Sequence, residues 1–325
     1  MQETAASLID PSLRPDPKAL AFDLDNALAS IVSLTVEAPE QAFTAKSLGT
    51  ERTGHGVIIG TGGLVLTIGY LIVEAQSIWV VDYQGHAFPG HVVGYDHETG
   101  FGLVQILGHT DAPIMEIGRS SDLTIGGQVV VAGHGGQKNS INAVLAARQE
   151  FAGYWEYLID DALFTAPPHP FWGGAALIGP DGRLCGIGSL FVQENPDAEG
   201  TFDGNMIVPI DMLPPILNDL RMYGRPQRAA RPWLGAMTAE TEGRIVVVGL
   251  WENGPAAGAG LEPGDLIVGI DDAPMSELAH MFRTIWSLGP AGTEVPLNVL
   301  RTGQLMTINI HSGDRAEFLI TPDLH

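Results

Sequence analysis

The sequence has a single cysteine, Cys185, in 325 residues. One thiol excludes an internal disulfide framework and any metal site built from several cysteines, and it leaves the redox compartment open. Cationic charge is scarce too: 16 Lys and Arg stand against 38 Asp and Glu, a net charge of −22. Phosphates and anionic headgroups need cationic neutralisation, so nucleic acid and membrane are set aside as partners. Long apolar runs are missing. The most apolar stretch, "GLVLTIGYLIVEA", is too short to span a bilayer and carries an acid near its end, so it reads as core. The first thirty residues contain no cationic start followed by an apolar run of signal-peptide length, and a cytoplasmic location is expected. The histidines, among them His55, His86, His91 and His134, show no two-ligand spacing on one helix, so neither metal nor cofactor is expected. "GTGG" and "GHGG" lack the strand–helix context of a nucleotide site and read as turns.

What is present is turn chemistry and alternation. Gly counts 41 residues and Pro 22 in a chain that is 45% apolar, which favours many short strands. "LASIVSLTV", "GHGVIIG", "GGLVLTI", "SIWVVDYQG", "HAFPGHVVGYD" and "FGLVQILG" form one alternating set. A second follows with "GGQVVVAGHG", "INAVLAARQEF", "EYLIDDALFTA", "GAALIGPDGRLCGIGSLFV" and "NMIVPI", so two β-barrels in tandem are expected. The period then turns helical over Asp211–Gly224, where Gly224 is a stop. "RPQRAARP" reads as a linker, and a compact unit of strands and one helix, "SELAHMFRTIWSLG", follows.

That last unit resembles a PDZ domain of the bacterial HtrA kind, through "WLGA", "GPAAGAGLEPGDLIVGIDDAPM" and "SLGPAGTEVPLNVLRTGQ". With this cue, "GHGVIIGTGGLVLT" and "IVPIDMLPPILNDLRMYGRPQRAARPWLG" are similar to the opening strands and exit helix of the HtrA protease domain, and the resemblance covers roughly residues 28–315. It implies a mostly β chain, a trypsin-like double β-barrel followed by an α+β PDZ domain. The divisions would be an N-terminal extension (1–27), the trypsin-like domain (28–222), a linker (223–230), the PDZ domain (231–315) and a C-terminal tail (316–325).

The resemblance also places three chemical positions. The family's general-base histidine falls on Tyr70, its aspartate on Gly100 and its nucleophilic serine on Trp172. Ser-His-Asp catalysis needs a hydroxyl to attack, a base to take its proton and a carboxylate to orient the base. Phenol, hydrogen and indole supply none of these at neutral pH. Pro170 stands where the family has an oxyanion-hole N–H, and proline has none. Asp96, His97, His169 and Ser189 are near enough in sequence to offer a displaced set, but Gly173-Gly174 anchors the nucleophile loop and Leu66-Thr67 the base strand.

For the PDZ-like unit, the resemblance implies that a peptide adds as a strand beside 235–240. The N–H groups of Leu234, Gly235 and Ala236, after Trp233, would receive its terminal carboxylate. Leu278, Phe282 and Ile285 share one helix face that would line the groove. The expectation is a non-catalytic HtrA-like pseudoprotease: a scaffold, assembly subunit or adaptor for protein or peptide partners, with chain ends as the natural ligand. A homo-oligomer or a larger complex fits the family. The alternatives are a hydrolase with a rearranged active site and a holdase chaperone.

Overall fold

The computed structural model describes residues 9–193 and 203–320; the first eight residues of the expected extension and the last five of the expected tail lie outside the described residues. The chain divides into two compact units. One comprises the chain up to Gln149 together with Asp161–Pro226, and the other Glu150–Asp160 together with Gln227–Ile320.

The first unit holds two closed antiparallel barrels. Strands β1 (Ile31–Glu37), β2 (Glu51–Gly60), β3 (Leu64–Ile68), β4 (Ser77–Val81), β5 (Ala87–Tyr95) and β6 (Phe101–Ile106) close in the order β1-β2-β3-β6-β5-β4. Strands β7 (Gln128–Ala132), β8 (Ser140–Gly153), β9 (Tyr157–Ala166), β10 (Ala176–Ile178), β11 (Leu184–Gln193) and β12 (Asp203–Pro209) close as β10-β11-β12-β9-β8-β7. Alternation fixes the register: in β1, Val32, Leu34 and Val36 are buried while Thr35 and Glu37 are exposed. β3 is buried along its whole length, which is why "LVLTI" does not alternate. One core cluster joins Leu66, Phe101 and Leu103 of the first barrel to Ala132, Ala176 and Ile187 of the second, and a smaller one (Val131, Leu145, Leu163, Ile207) fills the second barrel. Each Val, Leu, Ile or Phe among them contributes about 1.5–3 kcal/mol when fully buried.

Two local readings change. The strand expected from Leu28 begins only at Ile31, because Leu24–Ala29 is a helix whose first turn is capped by the Asp23 carboxylate accepting from Asn26 N–H at 3.1 Å. The helix expected over 211–224 runs Pro214–Tyr223 instead: two prolines are tolerated in a first turn but not further in. It closes as the sequence predicts, with Gly224 N–H donating to Leu220 O at 3.0 Å.

The second unit is a sheet of order β13-β14-β15-β17-β18, with β16 beside β15. These are β13 (Ala236–Thr241), β14 (Arg244–Leu250), β15 (Leu266–Ile270), β16 (Ala273–Pro274), β17 (Glu294–Arg301) and β18 (Gln304–His311). The helix Leu278–Ser287 buries Leu278, Ala279, Met281, Phe282 and Ile285, in the same core as Ile245, Val247, Leu297 and Val299. Leu158, from the segment Glu150–Asp160, is buried in that core too. Among the described residues no helix is long and apolar enough to cross a membrane.

One buried charged network braces the first barrel. The Arg52 guanidinium, 4% exposed, donates to Tyr70 O (3.1 Å), Val73 O (2.7 Å), Gly49 O (3.1 Å) and Thr44 Oγ1 (2.8 Å). The Thr44 hydroxyl donates in turn to Glu74, whose carboxylate also accepts from the N–H groups of Phe43 and Thr44, both at 2.8 Å. Arg52→Met is expected to cost on the order of 3–5 kcal/mol, since it strands a buried carboxylate. The readout is a lower urea midpoint at unchanged slope; a cost below about 1 kcal/mol would mean that the network behaves as a surface pair.

Candidate functional site

The three positions marked by the sequence come together at the seam of the two barrels. Tyr70 lies on a helical turn, Gly69–Ile72, that follows β3, and Arg52 holds that turn by its carbonyls. Gly100 precedes β6 with φ +83°, a left-handed conformation in which a side chain is strained, and its carbonyl accepts from Gly69 N–H at 2.6 Å. The base strand and the residue before β6 are therefore bonded next to Tyr70. Trp172 opens a tight turn, its carbonyl accepting from Ala175 N–H at 3.0 Å. Gly174, at φ +77°, lies so close to β2 that a Cβ would sit 1.9 Å from His55 O. His55 N–H donates to Gly173 O at 2.8 Å, which docks this turn against the first barrel.

The chemistry at those positions is specific. Tyr70 Oη donates to Ser189 O at 2.9 Å, and burial pushes the phenol above its ordinary value, so it is a neutral donor. A Cβ on Gly173 would stand 2.9 Å from Tyr70 Oη, which places the phenol beside the Trp172 turn. The half-buried Trp172 ring tilts against Phe191 at 5.6 Å between centroids.

The neighbouring candidates are committed elsewhere. His169 is fully buried: Nδ1 accepts from Phe171 N–H at 3.1 Å, Nε2 lies 2.9 Å from Asn139 O, and burial lowers its pKa. Asp96 caps a turn by accepting from the N–H groups of Glu98 (3.3 Å) and Thr99 (3.1 Å). His97 packs edge-on against Tyr95 at 5.0 Å. Ser189 is buried and gives its carbonyl to Tyr70. Burial, with His169 and His134 nearby, pushes the His55 imidazole down to about 3, so it stays neutral. Among the described residues, no group of three or more His, Cys, Asp or Glu could hold a metal ion.

In the second unit the loop before β13 is built as expected. Trp233 is fastened by a two-way backbone pairing with Gly313 (3.1 and 2.9 Å) and packs on Phe318, centroids 4.9 Å apart. The three following N–H groups converge on one carboxylate, and it belongs to Glu156. Leu234 N–H lies 3.0 Å from Oε2, and Gly235 and Ala236 N–H lie 2.7 and 3.0 Å from Oε1. On the helix, Leu278 is 5% exposed, Phe282 0% and Ile285 1%, so that face is covered. Sequence reasoning missed Glu156 by treating "EYLIDDALFTA" as barrel strand alone. Its signal is a glutamate set among Tyr154, Trp155 and Tyr157 at a hairpin tip, where aromatic rings have no barrel to fill; Trp155 and Tyr157 stack at 5.5 Å.

Comparison with known proteins agrees with this geometry. Residues 54–187 match the trypsin-like peptidase domain family, and residues 232–311 match the PDZ domain family. A periplasmic serine endoprotease, DegP, of Salmonella typhimurium is 25% identical over 273 residues, covering 79% of this chain and 56% of its own. A DegP-like periplasmic serine endoprotease of Pseudomonas fluorescens is 26% identical over 282 residues, covering 81% and 56%. The chain thus spans about half the length of these relatives. Among solved structures, the HtrA-type protease AlgW with a decapeptide aligns with a TM-score of 0.52 at 22% identity, covering 93% of this chain and all of that one. The trypsin-like fold with a PDZ domain follows from these matches. Two expectations are overturned: relatives named as serine endoproteases point to an enzyme and not to a non-catalytic scaffold, and relatives named as periplasmic point away from the cytoplasm. The first inferred inactivity from three side chains; the second leaned on the first thirty residues, which do not fix a compartment.

Glu156 carries a pH prediction. Burial pushes its carboxyl from 4.5 up to about 7, while the Leu234, Ala236 and Gly235 N–H groups and the charge of Arg315 pull the other way. A folded pKa above the unfolded one means that the docked carboxyl stabilises fully below about 4.5 and loses this contribution as pH rises through about 7. The thermal midpoint of the wild type relative to Glu156→Gln should therefore fall between pH 5 and pH 8. A difference that grows with pH would show that the hydrogen bonds outweigh burial.

Proposed function

Taking the chain as an HtrA/DegP-like trypsin-type peptidase with a PDZ domain, we propose that it is a hydrolase of protein or peptide chains that works in the periplasm, with reacting groups other than the side chains at 70, 100 and 172. The observation that carries this reading is the collinear match, across both the trypsin-like and the PDZ regions, to relatives named as serine endoproteases. Peptide recognition is assigned to Trp233, Leu234, Gly235 and Ala236, in keeping with a peptide-bound structural relative; the helix face of Leu278, Phe282 and Ile285, buried in the core together with Leu158, would take part only where that cover moves aside.

The departures from the family set the chemical terms. Acyl transfer needs a nucleophile, a proton acceptor and donors for the developing oxyanion. The Tyr70 phenol is held neutral, Gly100 offers only backbone, and the Trp172 indole has only an N–H to give. Pro170 withholds one backbone donor, a loss that typically costs on the order of a hundred- to a thousandfold in rate. The nucleophile is therefore a hydroxyl or a water held by other groups, and turnover is slow beside that of an intact triad.

The test uses the full chain with unfolded, fluorescently quenched casein and, separately, a fluorophosphonate reagent whose attachment point is mapped by peptide mass spectrometry. Slow casein turnover that tracks the protein through size exclusion is expected, with any label mapping away from 170–175. A folded preparation that neither cleaves nor labels over a day at micromolar concentration overturns the reading.

A further inference from the structure

The carboxylate loop of the second unit already has a ligand, and it comes from the same chain. Both Glu156 oxygens are engaged, by three consecutive N–H groups in four contacts of 2.7–3.2 Å. Such a concave run of N–H groups is a site for a carboxylate. The neighbouring residues of the hairpin dock with it. Tyr154 O accepts from Thr238 N–H at 2.8 Å, one backbone bond onto β13. Leu158 is buried with Leu278, Phe282 and Ile285. Arg283 of the helix pairs with Glu150 and Asp160, which flank the turn on either side.

We propose that Glu156 is a built-in occupant of the PDZ carboxylate loop, so that an outside chain end binds only by displacing the hairpin turn 154–158. The turn is poised for exchange. Glu156 adopts φ +62°, a left-handed conformation that strains a residue with a side chain. A free chain terminus offers two carboxylate oxygens from an ordinary extended backbone and avoids that strain. An apolar last side chain would take up the apolar surroundings that Leu158 now shares. The ligand class is thus a peptide with a free C-terminal carboxylate and an apolar terminal residue, in competition with Glu156. This is a statement about occupancy and does not rest on the hydrolase reading; the test below contains no cleavage step, so either can fail without the other.

The experiment titrates a fluorescein-labelled decapeptide ending in three apolar residues, as free acid and as C-terminal amide, into the full-length wild type and Glu156→Ala. The acid should bind the variant at least tenfold more tightly than the wild type, and the amide weakly to both. Equal affinity of the acid for the two proteins overturns the proposal, as does an acid that binds neither. A second arm needs no variant to fold: in the unliganded wild type, the amides of Leu234, Gly235 and Ala236 should be protected from hydrogen exchange. Free exchange at all three overturns it. A milder variant, Arg283→Ala, removes only the surface anchor and should give a smaller gain of about two- to fivefold; a loss of acid binding counts against displacement.

Discussion

A backbone polar group taken out of water must find a partner, because leaving it unpaired costs about as much as several ordinary contacts contribute. Several side chains of this protein meet that requirement where strand pairing cannot, three of them at the places that matter most here. Glu74 takes the N–H groups of Phe43 and Thr44, Tyr70 gives a proton to Ser189 O, and Glu156 takes the N–H groups of Leu234 to Ala236. In each case the partner is remote in sequence, and the bond fixes a loop or, at Ser189, the irregularity of β11 where its pairing with β12 shifts register. The barrels and the sheet satisfy themselves; the loops between them are the parts that need these side chains.

This division explains what was legible in the sequence. Strand alternation in β1, the unbroken apolar run of β3 and the helix stop at Gly224 are local patterns, and each was read close to its true place. The segments that carry Tyr70, Gly100 and Trp172 were legible only through the family resemblance, and the structure sets them side by side through Gly69 N–H to Gly100 O and the closeness of Gly173 to Tyr70 Oη. The roles of Arg52, Glu74 and Glu156 were not. A charged residue satisfied by backbone groups tens of residues away has no periodicity and no spacing rule, so it reads as surface. Glu156 is the extreme case, separated by 78 to 80 residues from its donors.

The seam between the barrels shows how a scaffold can hold its geometry while its side chains change. The bonds that assemble it run from Gly69 N–H to Gly100 O, from His55 N–H to Gly173 O and from Ala175 N–H to Trp172 O. All are backbone to backbone, so none uses the side chains at 70 or 172, while position 100 is restricted by its left-handed backbone. The three segments therefore keep their places through the main chain, with a phenol at 70 and an indole at 172.

The side chains at that seam nevertheless have structural work of their own. The Tyr70 phenol donates to Ser189 O, and the half-buried Trp172 ring tilts against Phe191. In the second unit, a chain end arriving at Leu234–Ala236 meets the carboxylate of Glu156. Backbone groups in each unit are thus already satisfied by side chains of the same protein. Exchange at Leu234–Ala236 replaces one set of good hydrogen bonds by another, a near-balanced step that modest changes in ligand can tip.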